Sequence, residues 1–222
     1  MMIKVGDIMI KQSRLNNGFY LVTLFLALIL FLISGIYLWN NPIWDVKNWY
    51  VIAFSNSIIT FVVIHTPWFL KRFFQWTFSP LMTVVFYVFV ILTLIVGEAI
   101  GVYRITAFYD SFIHFLGGIV LSLTGYYVYM KLTKEKNMPL LILFILGFQA
   151  LFGTVWEIFE FGLDFLIKSN TQSYFDDITQ TLFIGQMALK DTMLDFIFNT
   201  LGSVLFVGVL PYIKPEWLKT KS

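Results

Sequence analysis

Apolar runs of about twenty residues recur along the chain, separated by short polar connections. They cover Phe19 to Trp39, Trp49 to Leu70, Leu81 to Gly101, Asp110 to Met130, Pro139 to Ile167 and Asp191 to Ile213. A hydrocarbon core about 30 Å thick needs roughly 20 mostly apolar residues per helix, so this pattern predicts six membrane-spanning helices. Pro42, Pro67, Pro80, Pro139, Pro211 and Pro215 all fall at or near the ends of these runs. A missing N–H does least harm there, and no proline interrupts the centre of a span. The first run lacks the charged, short-core, small-residue pattern of a cleaved leader, so it reads as a retained helix.

Composition agrees with the pattern. Of 222 residues, 59% are hydrophobic and 13% charged, with mean hydropathy +0.80. Soluble domains carry about 25% charged residues, so the chain has too little polar surface to face water all round. This argues against a cytosolic enzyme, a secreted module and a nucleic-acid binder. With no cysteine, disulfides, thiolate metal sites and a cysteine nucleophile are excluded.

The charges orient the helices. Lys4, Lys11, Arg14, Lys71, Arg72, Lys131, Lys134, Lys136, Lys214, Lys219 and Lys221 fall on one set of alternate connections, and Lys47, Arg104, Lys168 and Lys190 on the other. Basic residues accumulate in cytoplasmic loops, which places both termini inside. The expected fold is therefore an all-α bundle of six transmembrane helices: an N-terminal arm over 1–18, cationic or interfacial, a single helical domain over 19–213, and a cytoplasmic tail over 214–222. Trp39, Trp44, Trp49, Trp68, Trp76, Tyr103, Tyr109 and Trp217 lie near the predicted interfaces, where amphipathic rings belong. The connection from Lys168 to Lys190 is the longest, and loops of that length often act as lids or caps.

Against this background the polar residues inside the spans stand out. An ionisable group at mid-membrane costs roughly 2.5–3.5 kcal/mol on insertion scales and marks a bundle interior or wet cavity. Glu98, Asp110, His114, Glu157, Glu160, Asp164, Asp191, Asp195 and Asn199 all fall in the half of the membrane assigned as outer; the inner half has His65. Asp110 and His114 are spaced i, i+4. Glu157, Glu160 and Asp164 share an arc of about 60°, and Asp191, Asp195 and Asn199 one of about 80°, at 100° per residue. Three helices thus present polar stripes at one depth, expected to face one another with Gly117, Gly118, Gly153, Gly162 and Gly202 allowing close approach.

Seven ionised carboxylates cannot share a low-dielectric pocket with one histidine. Either some carry protons, or a divalent cation is present. Hard oxygen ligands suit Mg²⁺, Mn²⁺ or Ca²⁺, with His114, Glu157, Glu160, Asp191 and Asp195 as candidate metal ligands. Glu157, Asp195 and His114 are the candidate acid, base and proton-carrying groups, and Asp110, Glu160, Asn199 and Asp191 the candidate binding residues. Taken alone, Asp110 and Asp191 read as helix N-caps, and His65 as a structural hydrogen-bonding group.

The strings Asp110-Ser-Phe-Ile-His114-Phe, Trp156-Glu157-Ile-Phe-Glu160 and Asp191-Thr-Met-Leu-Asp195-Phe-Ile-Phe-Asn199-Thr-Leu-Gly202 resemble the YjdF-like family of bacterial membrane proteins and the broader VanZ-like group. The resemblance covers 109–202, and the first three spans match only in being hydrophobic. VanZ-like proteins tend to carry Glu-x-x-Gln where Glu157 and Glu160 stand, and the YjdF-like pattern often has Gly-Asp where Met187 and Ala188 stand. The group is associated with low-level teicoplanin resistance. The co-located charges and their depth lead to the expectation of a multi-pass plasma-membrane protein acting on, or binding, a lipid-linked or cell-envelope component, such as a lipid-linked envelope precursor, and the resemblance supports the same residues as a unit. It supplies no reaction. A proton- or cation-coupled transporter and a non-catalytic scaffold are the alternatives; an inner half without a polar path and spans without an evident break weigh against transport.

Overall fold

Capping chemistry sets where several helices begin. Asn48 accepts a hydrogen bond from the Tyr50 amide, Ser79 from Met82, and Asn137 from Leu140. Each satisfies an amide that the first helical turn leaves without a backbone acceptor. Pro80 and Pro139 follow two of these caps, where a fixed φ favours helix.

A computed structural model describes residues 5–42, 45, 48–133, 137–176, 179 and 181–213, without side-chain surroundings for 5–16 and Ala107. The elements are α1 (Val5–Asn40), α2 (Trp49–Val63), α3 (Thr66–Phe74), α4 (Pro80–Val90) continued by a π-helical stretch (Ile91–Ala99), the short α5 (Val102–Ile105), α6 (Ala107–Leu132), α7 (Met138–Ile167) and α8 (Gln186–Val209), which closes in a 3₁₀ turn (Leu210–Tyr212). Among the described residues there is no strand, only an isolated bridge between Phe175 and Leu182. Among the described residues six helical segments are long and apolar enough to cross a membrane: Asn17–Asn40, Trp49–Phe74, Pro80–Ala99, Phe108–Leu132, Met138–Ile167 and Gln186–Tyr212. Each overlaps one expected span. The tail over 214–222 and residues 1–4 of the arm lie outside the described residues, as do Trp44, Lys47, Lys134 and Lys136; from Val5 the arm is one unbroken helix with the first span.

The chain divides into two units, Met1–Ala107 with Ile213–Ser222, and Phe108–Tyr212. In the first, α1 packs on α2 and α4, and α2 on the π-helical stretch. Ile64, Tyr87 and Val90 form its buried cluster, with Phe19, Tyr20, Phe61 and Phe86 against it. In this unit two spans are irregular where an unbroken helix was expected. The second span breaks at Ile64 and His65, because Pro67 has no N–H for the Val63 carbonyl and its ring crowds that turn. The displaced groups find other partners: the Ile64 carbonyl accepts from the Tyr87 hydroxyl (3.2 Å), His65 Nδ1 contacts the Phe61 carbonyl (2.6 Å), and Nε2 contacts the Tyr20 hydroxyl (3.3 Å). His65 is thus a structural hydrogen-bonding group, as expected. The third span ends in the π-helical stretch, where the Ile100 amide reaches back five residues to the Ile95 carbonyl (2.8 Å).

The second unit contains α6, α7 and α8. Two glycines bring α6 and α8 into backbone contact: a Cβ at Gly118 would collide with the Asn199 carbonyl, and one at Gly202 with the Phe115 carbonyl. One step along, the Ser122 hydroxyl donates to Ser203 Oγ (2.7 Å) in a fully buried pair. A Cβ at Gly153 would stand 3.2 Å from Gln149 Nε2 and 3.7 Å from Asn199 Nδ2. Gly162 does not fit the close-approach expectation, since a Cβ there meets nothing within 4 Å.

Candidate functional site

All the clustered polar residues of the second unit lie toward one end of its helices: the start of α6, the end of α7 and the start of α8. His114, Glu157, Asp195 and Asn199 are buried, and Asp110, Glu160 and Asp191 half-buried. Helical spacing explains the convergence. The stripes at 110 and 114, at 157 and 160, and at 191, 195 and 199 are the faces that the glycine contacts turn inward.

His114 stands at the centre. Its Nε2 lies 3.6 Å from Asp110 Oδ1 and 3.7 Å from Asp195 Oδ1, and its Nδ1 lies 4.0 Å from Glu157 Oε1. The Asn199 amide meets Nδ1 at 3.1 Å. That contact controls the ring. If the Asn199 nitrogen donates, Nδ1 accepts and Nε2 carries the hydrogen; if the amide turns its oxygen to the ring, Nδ1–H donates and Nε2 offers a lone pair between the two aspartates. The second state is the one metal-bound histidines adopt.

The carboxylates are under-bonded. Glu157 is 4% exposed and Asp195 2%. Both oxygens of Glu157, Oδ1 of Asp195, Oε2 of Glu160 and Oδ2 of Asp191 make no hydrogen bond. Buried polar atoms without a partner are rare, and each costs about 1–3 kcal/mol or more. Ligand atoms of His114, Glu157, Glu160 and Asp195 all lie within 4.8 Å of one another, and so do those of Asp110, Asp191 and Asp195. Donors at such separations can share one ion at bond lengths of about 2.1–2.4 Å.

Two expected members of the acidic set stand outside both groups. Asp164 joins neither group. Its Oδ1 accepts from the Ser169 hydroxyl (2.7 Å), the Thr171 hydroxyl (2.8 Å) and the Thr171 amide (2.8 Å), and its Oδ2 from the Gln172 amide (2.9 Å). Asp164 therefore anchors the start of the long connection beyond α7. Glu98 belongs to the first unit and also joins neither group. Nor are Asp110 and Asp191 N-caps. Helix α6 starts at Ala107, which puts Asp110 inside the first turn, and α8 starts at Gln186 behind Gly185, which puts Asp191 in the second. Neither is committed to a helix end.

Sequence reasoning missed three contributors. Gln172 donates through Nε2 to Thr192 Oγ1 (3.1 Å) and to the Glu157 carbonyl (3.4 Å), tying the connection to both α7 and α8. Trp156, half-exposed, donates its indole N–H to Glu160 Oε1 (2.9 Å). Gln149, buried one helical turn below Gly153, lies near Asn199 through that glycine. Gln149 and Trp156 fall on the i, i+4 positions of the α7 stripe, so their spacing carried a signal; the reach of Gln172 depends on loop conformation.

A profile of a family described as predicted membrane proteins (DUF2238) matches residues 12–215. An uncharacterised protein of Thermotoga maritima is 32% identical over 115 residues, a match that spans 49% of this chain and 50% of that protein. The chain thus spans about half the length of the curated relative it matches. No solved structure matches.

Proposed function

The chain belongs to the DUF2238 family of predicted membrane proteins, and on that premise we propose that its second unit is an intramembrane divalent-cation centre. One observation carries this reading: buried carboxylate oxygens of Glu157 and Asp195 have no hydrogen-bond partner while they sit within ligand reach of His114 and Glu160. Removing one charge from such a cluster still leaves the others unpaired, whereas a cation neutralises several at once. The mix of one imidazole with carboxylates suits Mn²⁺ or Mg²⁺ better than a soft metal.

In this reading His114, Glu157, Glu160 and Asp195 hold the ion, and Asn199 orients the imidazole. A bound cation supplies Lewis acidity and a more acidic bound water. Trp156 links the centre to the lipid-facing side of α7, where Phe159 is also exposed. That connection supports a substrate with a polar head and an apolar tail, arriving from the bilayer, and the motif resemblance to VanZ-like proteins favours a lipid-linked envelope precursor. The distribution of Lys and Arg supports cytoplasmic termini and a centre that opens outward.

Equilibrium binding of Mn²⁺ to the purified full chain in detergent tests the reading. Binding that His114→Ala and Glu157→Gln each weaken by tenfold or more is expected. A wild-type chain that binds no Mn²⁺, Mg²⁺ or Ca²⁺ overturns it.

A second reading, cation transport, gains support from the broken second span, since discontinuous helices are common in transporters. Mn²⁺ uptake into proteoliposomes that disappears in Glu157→Gln would favour it; binding without uptake favours the first.

A further inference from the structure

Resting on that cation centre, we propose that it holds two divalent ions bridged by the Asp195 carboxylate. The candidate ligand atoms do not fall into one sphere. They form two adjoining groups, His114, Glu157, Glu160 and Asp195, and Asp110, Asp191 and Asp195, each within 4.8 Å; Asp195 is the member they share, and the groups meet where His114 Nε2 stands 3.6 Å from Asp110 Oδ1.

Asp195 is built for that position. It is 2% exposed, and its Oδ1 has no hydrogen-bond partner. A carboxylate has two oxygens, so one ion can sit on each, and ions about 3.5–4 Å apart are the usual two-metal arrangement. An unpartnered Oδ2 on Asp191 belongs to the second group alone, and unpartnered oxygens of Glu157 and Glu160 belong to the first alone. Each group therefore has ligand capacity that the other does not use.

Charge leads to the same count. If the five carboxylates of the two groups are ionised and His114 is neutral, one divalent ion leaves a formal charge of about −3 and two leave about −1 in a low-dielectric setting. The two ions also differ in access. The first group is mostly buried, while Asp110, with 31% of its side chain exposed, and Asp191 are half-buried. The second ion is therefore the one that incoming substrate oxygens reach, and a pair of this kind fits a phosphate or pyrophosphate ester, whose attacking and leaving oxygens two metals can clamp together.

Titration of the metal-free full chain in detergent with MnCl₂, read by the loss of the free-Mn²⁺ paramagnetic resonance signal, tests the inference. Two equivalents per chain are expected, with an exchange-coupled spectrum from the neighbouring ions. Asp191→Asn and Asp110→Asn, each checked for wild-type helical circular dichroism, are expected to bind the second equivalent at least tenfold more weakly and to lose the coupled spectrum while keeping the first. One equivalent in the wild-type chain overturns the bridged pair and leaves the single-cation reading standing; none overturns both. Two tight equivalents retained by both aspartate variants also overturn the bridged pair.

Discussion

Gly118 of α6 and Asn199 of α8 meet backbone to backbone, at a point where even a methyl group would strike the Asn199 carbonyl. The same Asn199 side chain touches His114 one turn away (3.1 Å). Helix approach and the orientation of the central imidazole are therefore set by one residue.

Gly118→Ala should push α6 and α8 apart and cost about 1–3 kcal/mol, the range for overpacking a tight contact. Thermal unfolding in detergent measures this. Gly162→Ala serves as the comparison, because its Cβ meets nothing: it should be neutral or stabilising by up to about 1 kcal/mol, as expected for replacing a helical glycine.

Asn199→Leu removes the only hydrogen-bond capacity offered to His114 Nδ1 by a side chain of α8 in the described contacts. Loss of an outer-shell partner typically weakens metal binding by about 10–100-fold. Asn199→Asp, which accepts from Nδ1–H and leaves Nε2 free, should retain Mn²⁺ affinity within a few-fold of wild type. Equal, severe losses in both variants would refute the orienting role.

Asp164→Asn gives up a carboxylate that accepts four hydrogen bonds from residues 169–172. Stability should fall by about 2 kcal/mol, in line with charged-group hydrogen bonds at about 1.5–3 kcal/mol. Limited proteolysis should cut faster within 168–176, while Mn²⁺ affinity stays near wild type because Asp164 is in neither ligand group. A large loss of affinity would show that the loop anchor and the cation centre cannot be separated.

Cation binding to the folded chain alone raises stability by mass action, about 2.7 kcal/mol when Mn²⁺ is at 100 times its dissociation constant. A melting temperature that rises with MnCl₂ and falls again on adding a chelator is expected for wild type. Glu157→Gln should flatten the response.

Orientation can be read on this chain without background labelling, since it contains no cysteine. A cysteine at Leu182 should react with a membrane-impermeant maleimide added to intact cells, and one at Leu132 only after the membrane is opened. The reverse result would invert the proposed topology.

Much of this architecture was readable from the chain. Six spans follow from run length, and the convergence of His114, Glu157 and Asp195 follows from i, i+4 spacing plus the cost of leaving such groups in lipid. The break at Ile64 was less legible: Pro67 sits near the end of an apolar run, and whether a proline there ends a span or kinks it depends on partners such as Tyr87, which lies 23 residues away. Asp164 was misassigned for a related reason. Its angular position matches the stripe, but helix periodicity says nothing about a loop folding back to occupy the carboxylate. The cap readings of Asp110 and Asp191 failed because each helix starts earlier than the apolar run, and an apolar run marks where lipid begins, not where the backbone turns helical.

The backbone contacts of Gly118 and Gly202 carry a consequence for biogenesis. The three helices that carry the proposed ligands are α6, α7 and α8, and α8 brings Asp195 and Asn199. During synthesis Asp110, His114 and Glu157 enter the membrane before their partners on α8 have been made. The waiting helices must be sheltered by water, protons or the insertion machinery, and a ribosome stalled before Gln186 would leave an intermediate whose acidic face has nothing to close against. Closure of the polar face therefore waits for the synthesis of α8, which the two glycines let pack flush against α6.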